Sequence, residues 1–141
     1  MQNSRSKWKN QFQRVGNASK FHEAVREILS TDDFFKKLTC FQEVPVSALA
    51  PSYHSNQQCV DWYIDELGTV LELHGKQHYE MANFGNIAYE KAKKNFHNIQ
   101  YRDNSKKQAL IDEGLEYREI SYKLKSKLTA ELLKQIIFYG E

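Results

Sequence analysis

Two acids and two histidines stand close together near the middle of the chain: Asp61, Glu72, His74 and His78. Carboxylate oxygens are the ligands Mg2+ takes, usually one or two of them, with water and phosphate completing the shell. A cation held in this way polarises a phosphate ester and activates water. Imidazoles exchange protons near neutral pH. Lys76, between the two histidines, offers positive charge to a developing phosphorane or a neighbouring phosphate. These residue types suit attack of water on a phosphodiester, with Mg2+ or Mn2+ as the cofactor. Taken singly, each has a plainer reading: two acids in solvent and a histidine that packs.

The elements that must position these residues are two short alternating segments, Cys59 to Ile64 and Thr69 to His74, around a turn at Asp65-Glu66-Leu67-Gly68. Symmetric pairing sets Ile64 against Thr69, Trp62 against Leu71 and Val60 against Leu73, an apolar face for helices to cover. On the other face Tyr63 meets Val70, Asp61 meets Glu72 and Cys59 meets His74. Like charges directly opposed weaken a sheet, and such a pair is kept readily where a cation sits between them or where both acids point into solvent.

Further out, Ser19 is a candidate cap for a helix carrying Phe21, Ala24, Val25, Ile28 and Leu29 and ending near Ser30. Phe41 to Val46 reads as an edge strand. A helix is expected around Ile87 to Phe96, and a second from a cap at Asp103 to a stop at Gly114. Leu115 to Tyr122 reads as a strand. Ser126 is a candidate cap for a last helix with Leu128, Leu132, Leu133, Ile136 and Ile137 inside. The order is helix, strand, hairpin, helix, helix, strand, helix: an α/β domain with a small mixed central sheet flanked by helices. Residues 19–141 make up this domain, and residues 1–18 form a basic, flexible arm.

With 141 residues, 40% hydrophobic and 27% charged, the chain has material for one domain with a core. It has no apolar run of membrane-spanning length and no apolar leader, which predicts a cytoplasmic protein with no membrane partner. Its two cysteines, Cys40 and Cys59, have no zinc-ribbon spacing and read as plain buried residues of a reducing compartment. Net charge is only +2, but the arm carries Arg5, Lys7, Lys9 and Arg14 with no acid among them, and such an arm can neutralise phosphates or simply be a solvated tail.

Asp61, then Glu72-Leu73-His74-Gly75-Lys76-Gln77-His78-Tyr79, then Arg102-Asp103 with Lys106, Lys107, Leu110 and Gly114, resembles the Vsr-like branch of the PD-(D/E)XK nuclease superfamily. It is also similar to the EDxHD homing endonucleases. The resemblance spans roughly Ser19 to Tyr122 and implies a restriction-endonuclease-like fold. It implies that Glu23, or its competitor Glu27, holds metal-bound water and that Asp61 is the principal metal ligand. The carbonyl of Leu73 is a further ligand, His78 the general base and Asp103 the residue that orients it. His74 falls at a variable position. Where the superfamily motif has Glu-x-Lys, this chain reads Glu72-Leu73-His74, leaving the place of the lysine open to Lys76. The cysteines of the repair enzymes' structural zinc site are missing, so no structural zinc is expected.

The partner implied is DNA, met by Arg102, Lys91, Lys93, Lys94, Lys106 and Lys107 together with the arm. Tyr79, Met81, Phe84, Tyr89 and Phe96 are candidates for wedging between base pairs or for core packing. The expected activity is endonucleolytic hydrolysis of DNA in a homing-type role. Branched-DNA or repair cleavage, a non-catalytic DNA-binding module and an RNase are the alternatives. A module this small suits a homodimer or a partner protein that targets it.

Overall fold

The computed structural model describes residues 20–55, 57–75 and 89–140. Helix α1 spans Lys20–Thr31, and Phe21, Val25 and Leu29 recur on the one face that it buries. A short 3-10 turn, Phe35–Lys37, leads into strand β1, Cys40–Pro45. A single helical turn α2, Val46–Leu49, precedes strand β2, Cys59–Ile64. The β2–β3 turn is a 3-10 turn at Asp65–Leu67 closed by Gly68, whose φ of 56° lies in the left-handed region that favours glycine. Strand β3 is Thr69–His74, helix α3 Tyr89–Asp112 and strand β4 Glu116–Ser121. A 3-10 segment, Tyr122–Lys127, and helix α4, Ala130–Tyr139, follow.

Among the described residues the strands form one mixed sheet in the order β1-β2-β3-β4, antiparallel except for the parallel β3–β4 pair. Antiparallel neighbours need only a tight turn, whereas a parallel pair needs a crossover, which α3 supplies. The core lies on both faces. Trp62, Ile64, Leu71, Leu73 and Ile120 pack with α1 and with Leu133, Ile136 and Ile137 of α4. Tyr63, Val70 and Tyr117 pack with Leu49 of α2 and Leu110 of α3. The mixed α/β architecture read from the sequence is present. Among the described residues, no helix is long and apolar enough to cross a membrane.

Four expectations about the elements change. The two helices expected between Ile87 and Gly114 are one, so Asp103 sits inside α3 and caps nothing. No Gly or Pro interrupts Phe96 to Asp103, and the polar residues there cost a helix only tenths of a kcal/mol each. The last helix starts after Thr129, whose side chain accepts the Leu132 N–H, and not after Ser126. Cys59 is exposed, because β2 begins there at the open end of the hairpin, while Cys40 is buried. Val60, expected to share a face with Trp62, packs instead with Tyr63 and Val44. At the same level on β1, Glu43 has a φ of 53°, and the regular pairing skips it together with Asp61. A left-handed residue turns its own strand about its axis, and Cys40 and Val44 of β1 accordingly pack on opposite faces. Ser19 and the arm lie outside the described residues.

Candidate active site

Regular pairing in the β2–β3 hairpin covers Ile64–Thr69, Tyr63–Val70 and Trp62–Leu71, the register the alternation predicts. One step further out, carboxylates take over the ladder. Asp61 Oδ2 accepts the Leu73 N–H at 2.7 Å, and Glu72 Oε2 accepts the Asp61 N–H at 3.0 Å. Side chains thus fill hydrogen bonds that backbone carbonyls usually make, and the two acids are fixed against each other.

Glu72 is only 3% exposed. Burial first, and the charge of Asp61 second, push its carboxyl up to about 7, against the pull of Lys106. Burial likewise raises Asp61 above the usual carboxylate range, opposed by the Leu73 N–H and by Glu72. Lys106 Nζ donates to Glu72 Oε1 at 2.5 Å and to the Cys59 carbonyl at 3.3 Å. It reaches them because Asp103, Lys106, Lys107 and Leu110 recur at helical spacing on α3. Leu110 is buried in the core, Lys107 lies 5.8 Å from the Tyr117 ring centre, and Lys106 meets the acids.

The parallel β3–β4 register places Glu119 level with Glu72, and Tyr117 level with Val70. Glu119 Oε2 is 3.6 Å from Nδ1 of the buried His74. The Tyr117 hydroxyl is buried with no hydrogen-bond partner among the described residues. From the opposite face, His22 on α1 brings Nε2 to 3.8 Å from Asp61 Oδ1. Burial holds the His22 imidazole below its usual pKa, while the charges of Glu43 and Glu72 raise it.

The structure therefore brings Asp61, Glu72, His74, Asp103 and Lys106 to one end of the sheet. The Leu73 N–H is bound to Asp61 and the Leu73 side chain is in the core. Asp103 is half-buried, and its charge reaches the Tyr117 hydroxyl. Glu23 lies in the first turn of α1 beside His22, and Glu27 is exposed. Lys91, Lys93, Lys94, Arg102 and Lys107 are exposed along α3, as is Tyr89, while Phe96 is half-buried. Lys106, grouped with them from the sequence, is turned into the carboxylates with its side chain 12% exposed. Lys76, His78, Tyr79, Met81 and Phe84, and the arm's Arg5, Lys7, Lys9 and Arg14, lie outside the described residues.

Four residues gain a place that their sequence context does not announce: His22, Glu43, Lys106 and Glu119. For Lys106 the signal was present in its helical spacing from Asp103 and Leu110. For Glu119 it was the alternation Tyr117, Glu119, Ser121, which carries no register until β4 is known to run parallel to β3. Among the described residues, no group of three or more His, Cys, Asp or Glu could hold a metal ion. Both oxygens of Glu72 already accept hydrogen bonds, as does Asp61 Oδ2, which leaves Asp61 Oδ1 as the carboxylate oxygen of this pair on hand for a cation. A hard cation that keeps most of its water fits this sparse set. No protein-family model, curated protein or solved structure matches the chain.

Proposed function

We propose that the chain is a metal-dependent endonuclease that hydrolyses DNA phosphodiester bonds at the open end of the β2–β3 hairpin. The observation that carries this reading is the trio Asp61, Glu72 and Lys106. Two acids pressed together and partly or wholly buried, with one lysine between them, cost folding energy that apolar residues would not. Such arrangements cluster where charge is needed for chemistry.

In this account Asp61 and the Leu73 carbonyl hold Mg2+ or Mn2+, which when bound supplies Lewis acidity and a more acidic water. Lys106 would supply the positive charge that the lysine of the Glu-x-Lys pattern supplies, and Glu72 fixes its ammonium toward the acids. Once a phosphate approaches, that ammonium is the preorganised positive charge for the transition state. His78 takes the proton from water and Asp103 steadies it, as the resemblance to Vsr-like nucleases implies. The exposed Lys91, Lys93, Lys94, Arg102 and Lys107 give α3 a basic surface suited to the DNA backbone. A homing-type role comes first, and a branched-DNA or repair role second.

The test is incubation of supercoiled plasmid, branched DNA and RNA with the full chain and Mg2+ or Mn2+. Metal-dependent nicking or cutting of DNA, lost in Asp61→Ala and in His78→Ala, is the expected result. Binding of DNA without cleavage under any metal would replace the nuclease reading with a DNA-binding module. Preferential cleavage of RNA would make the chain an RNase.

A further inference from the structure

Asp61 has one carboxylate oxygen turned away from the hairpin ladder, and what stands opposite it is a histidine. His22 Nε2 is 3.8 Å from Asp61 Oδ1, too far for a hydrogen bond. Two donors each ~2.1 Å from a shared cation are separated by roughly 3–4 Å, according to the angle between them. The gap therefore has the width of a shared ion. The two side chains are 38% and 25% exposed, so a hydrated cation can reach them and keep water on its remaining positions.

The rest of the neighbourhood points the same way. Glu72 is not open to this ion, because one of its oxygens accepts from Lys106 and the other from the Asp61 N–H. Glu43, held with its φ at 53° at the level of Asp61 on β1, puts negative charge within range of both His22 and Asp61. We infer that His22 and Asp61 together bind one divalent cation, and that the imidazole shifts its choice from Mg2+ toward first-row transition ions such as Mn2+. Nitrogen ligands favour those ions over Mg2+, whereas a pair of carboxylates does not. This rests on Asp61 as the metal-binding acid of the proposed site, to which it adds His22 as a side-chain ligand.

Mn2+ binding to the full-length protein, followed by electron paramagnetic resonance with Mg2+ as competitor, tests the pair directly. His22 is half-exposed on a helix, so His22→Ala and His22→Gln should fold, which circular dichroism checks. The expected result is a nitrogen coupling from imidazole in the wild-type spectrum. His22→Ala should lose that coupling and weaken Mn2+ by at least ~10-fold, with a much smaller change for Mg2+. Mn2+ affinity unchanged in His22→Ala, or a wild-type spectrum without nitrogen coupling, would overturn the inference. Plasmid cleavage read on the same proteins keeps the two questions apart. A wild type that binds Mn2+ through His22 but never cuts nucleic acid would keep this site and remove the nuclease reading. A wild type that cuts, with His22→Ala binding Mn2+ equally well, would do the reverse.

Discussion

Glu72 and Lys106, 34 residues apart in sequence, meet at 2.5 Å, joining the second strand of the hairpin to the crossover helix. The pair is buried, its side chains 4% and 12% exposed. Removing one partner of a buried pair strands the other charge, which typically costs about 3–5 kcal/mol. Lys106→Met should therefore lose on the order of 3 kcal/mol in urea unfolding. The double variant Glu72→Gln/Lys106→Met should recover much of that loss, because no charge remains unpaired. Additive losses would show that the two residues are not coupled.

Glu72 also sets a pH dependence. Its folded pKa, pushed up to about 7, lies above the ordinary value of 4.5. A raised carboxyl contributes stability fully below the unfolded pKa, and that contribution is lost as pH rises through the folded one. Stability should fall between about pH 4.5 and pH 7, by up to ~3 kcal/mol for a shift of this size. Asp61 is shifted in the same direction and adds to the slope. Denaturant unfolding at pH 5 and pH 7.5 should show the drop in wild type and a flatter profile in Glu72→Gln. Equal slopes would remove Glu72 as its source.

Glu43 carries backbone strain, since a side chain at a φ of 53° costs roughly 1 kcal/mol that glycine avoids. Glu43→Gly should raise the unfolding free energy by about that amount. It also removes a negative charge felt by Asp61, so the Asp61 carboxyl should titrate lower, which carboxyl NMR reads. A loss of stability would mean that the side chain matters more to folding than the backbone strain does.

Leu110 links the core to the site, lying one helical turn beyond Lys106 on α3 and fully buried against Tyr117 and Val70. Leu110→Ala should cost about 2–5 kcal/mol. In the fraction that stays folded, Lys106 should lose register with Glu72. Full stability in thermal unfolding would show that α3 is held elsewhere.

Much of this arrangement was legible in the sequence because hairpins are local. The turn at Asp65 to Gly68 and strict alternation on either side fix Trp62 against Leu71, and that register alone sets Asp61 beside Glu72. What remained illegible depends on contacts distant in sequence. The parallel partner that brings Glu119 to His74, the helix face that delivers His22 and the rotation at Glu43 leave no periodic trace. Asp103 shows the opposite failure: a good capping residue sits in mid-helix because neighbouring residues let the helix run on.

In the proposed nuclease, Asp61 and Lys106 serve hydrolysis. The direct measurement is the single-turnover rate of plasmid cleavage at saturating protein with Mn2+, comparing wild type with Asp61→Asn and Lys106→Met, each checked for folding. Wild type should cut, and both variants, though folded and still bound to DNA, should be slowed by at least ~100-fold, as when a preorganised charge is removed. Folded variants that cut at the wild-type rate would contradict these roles.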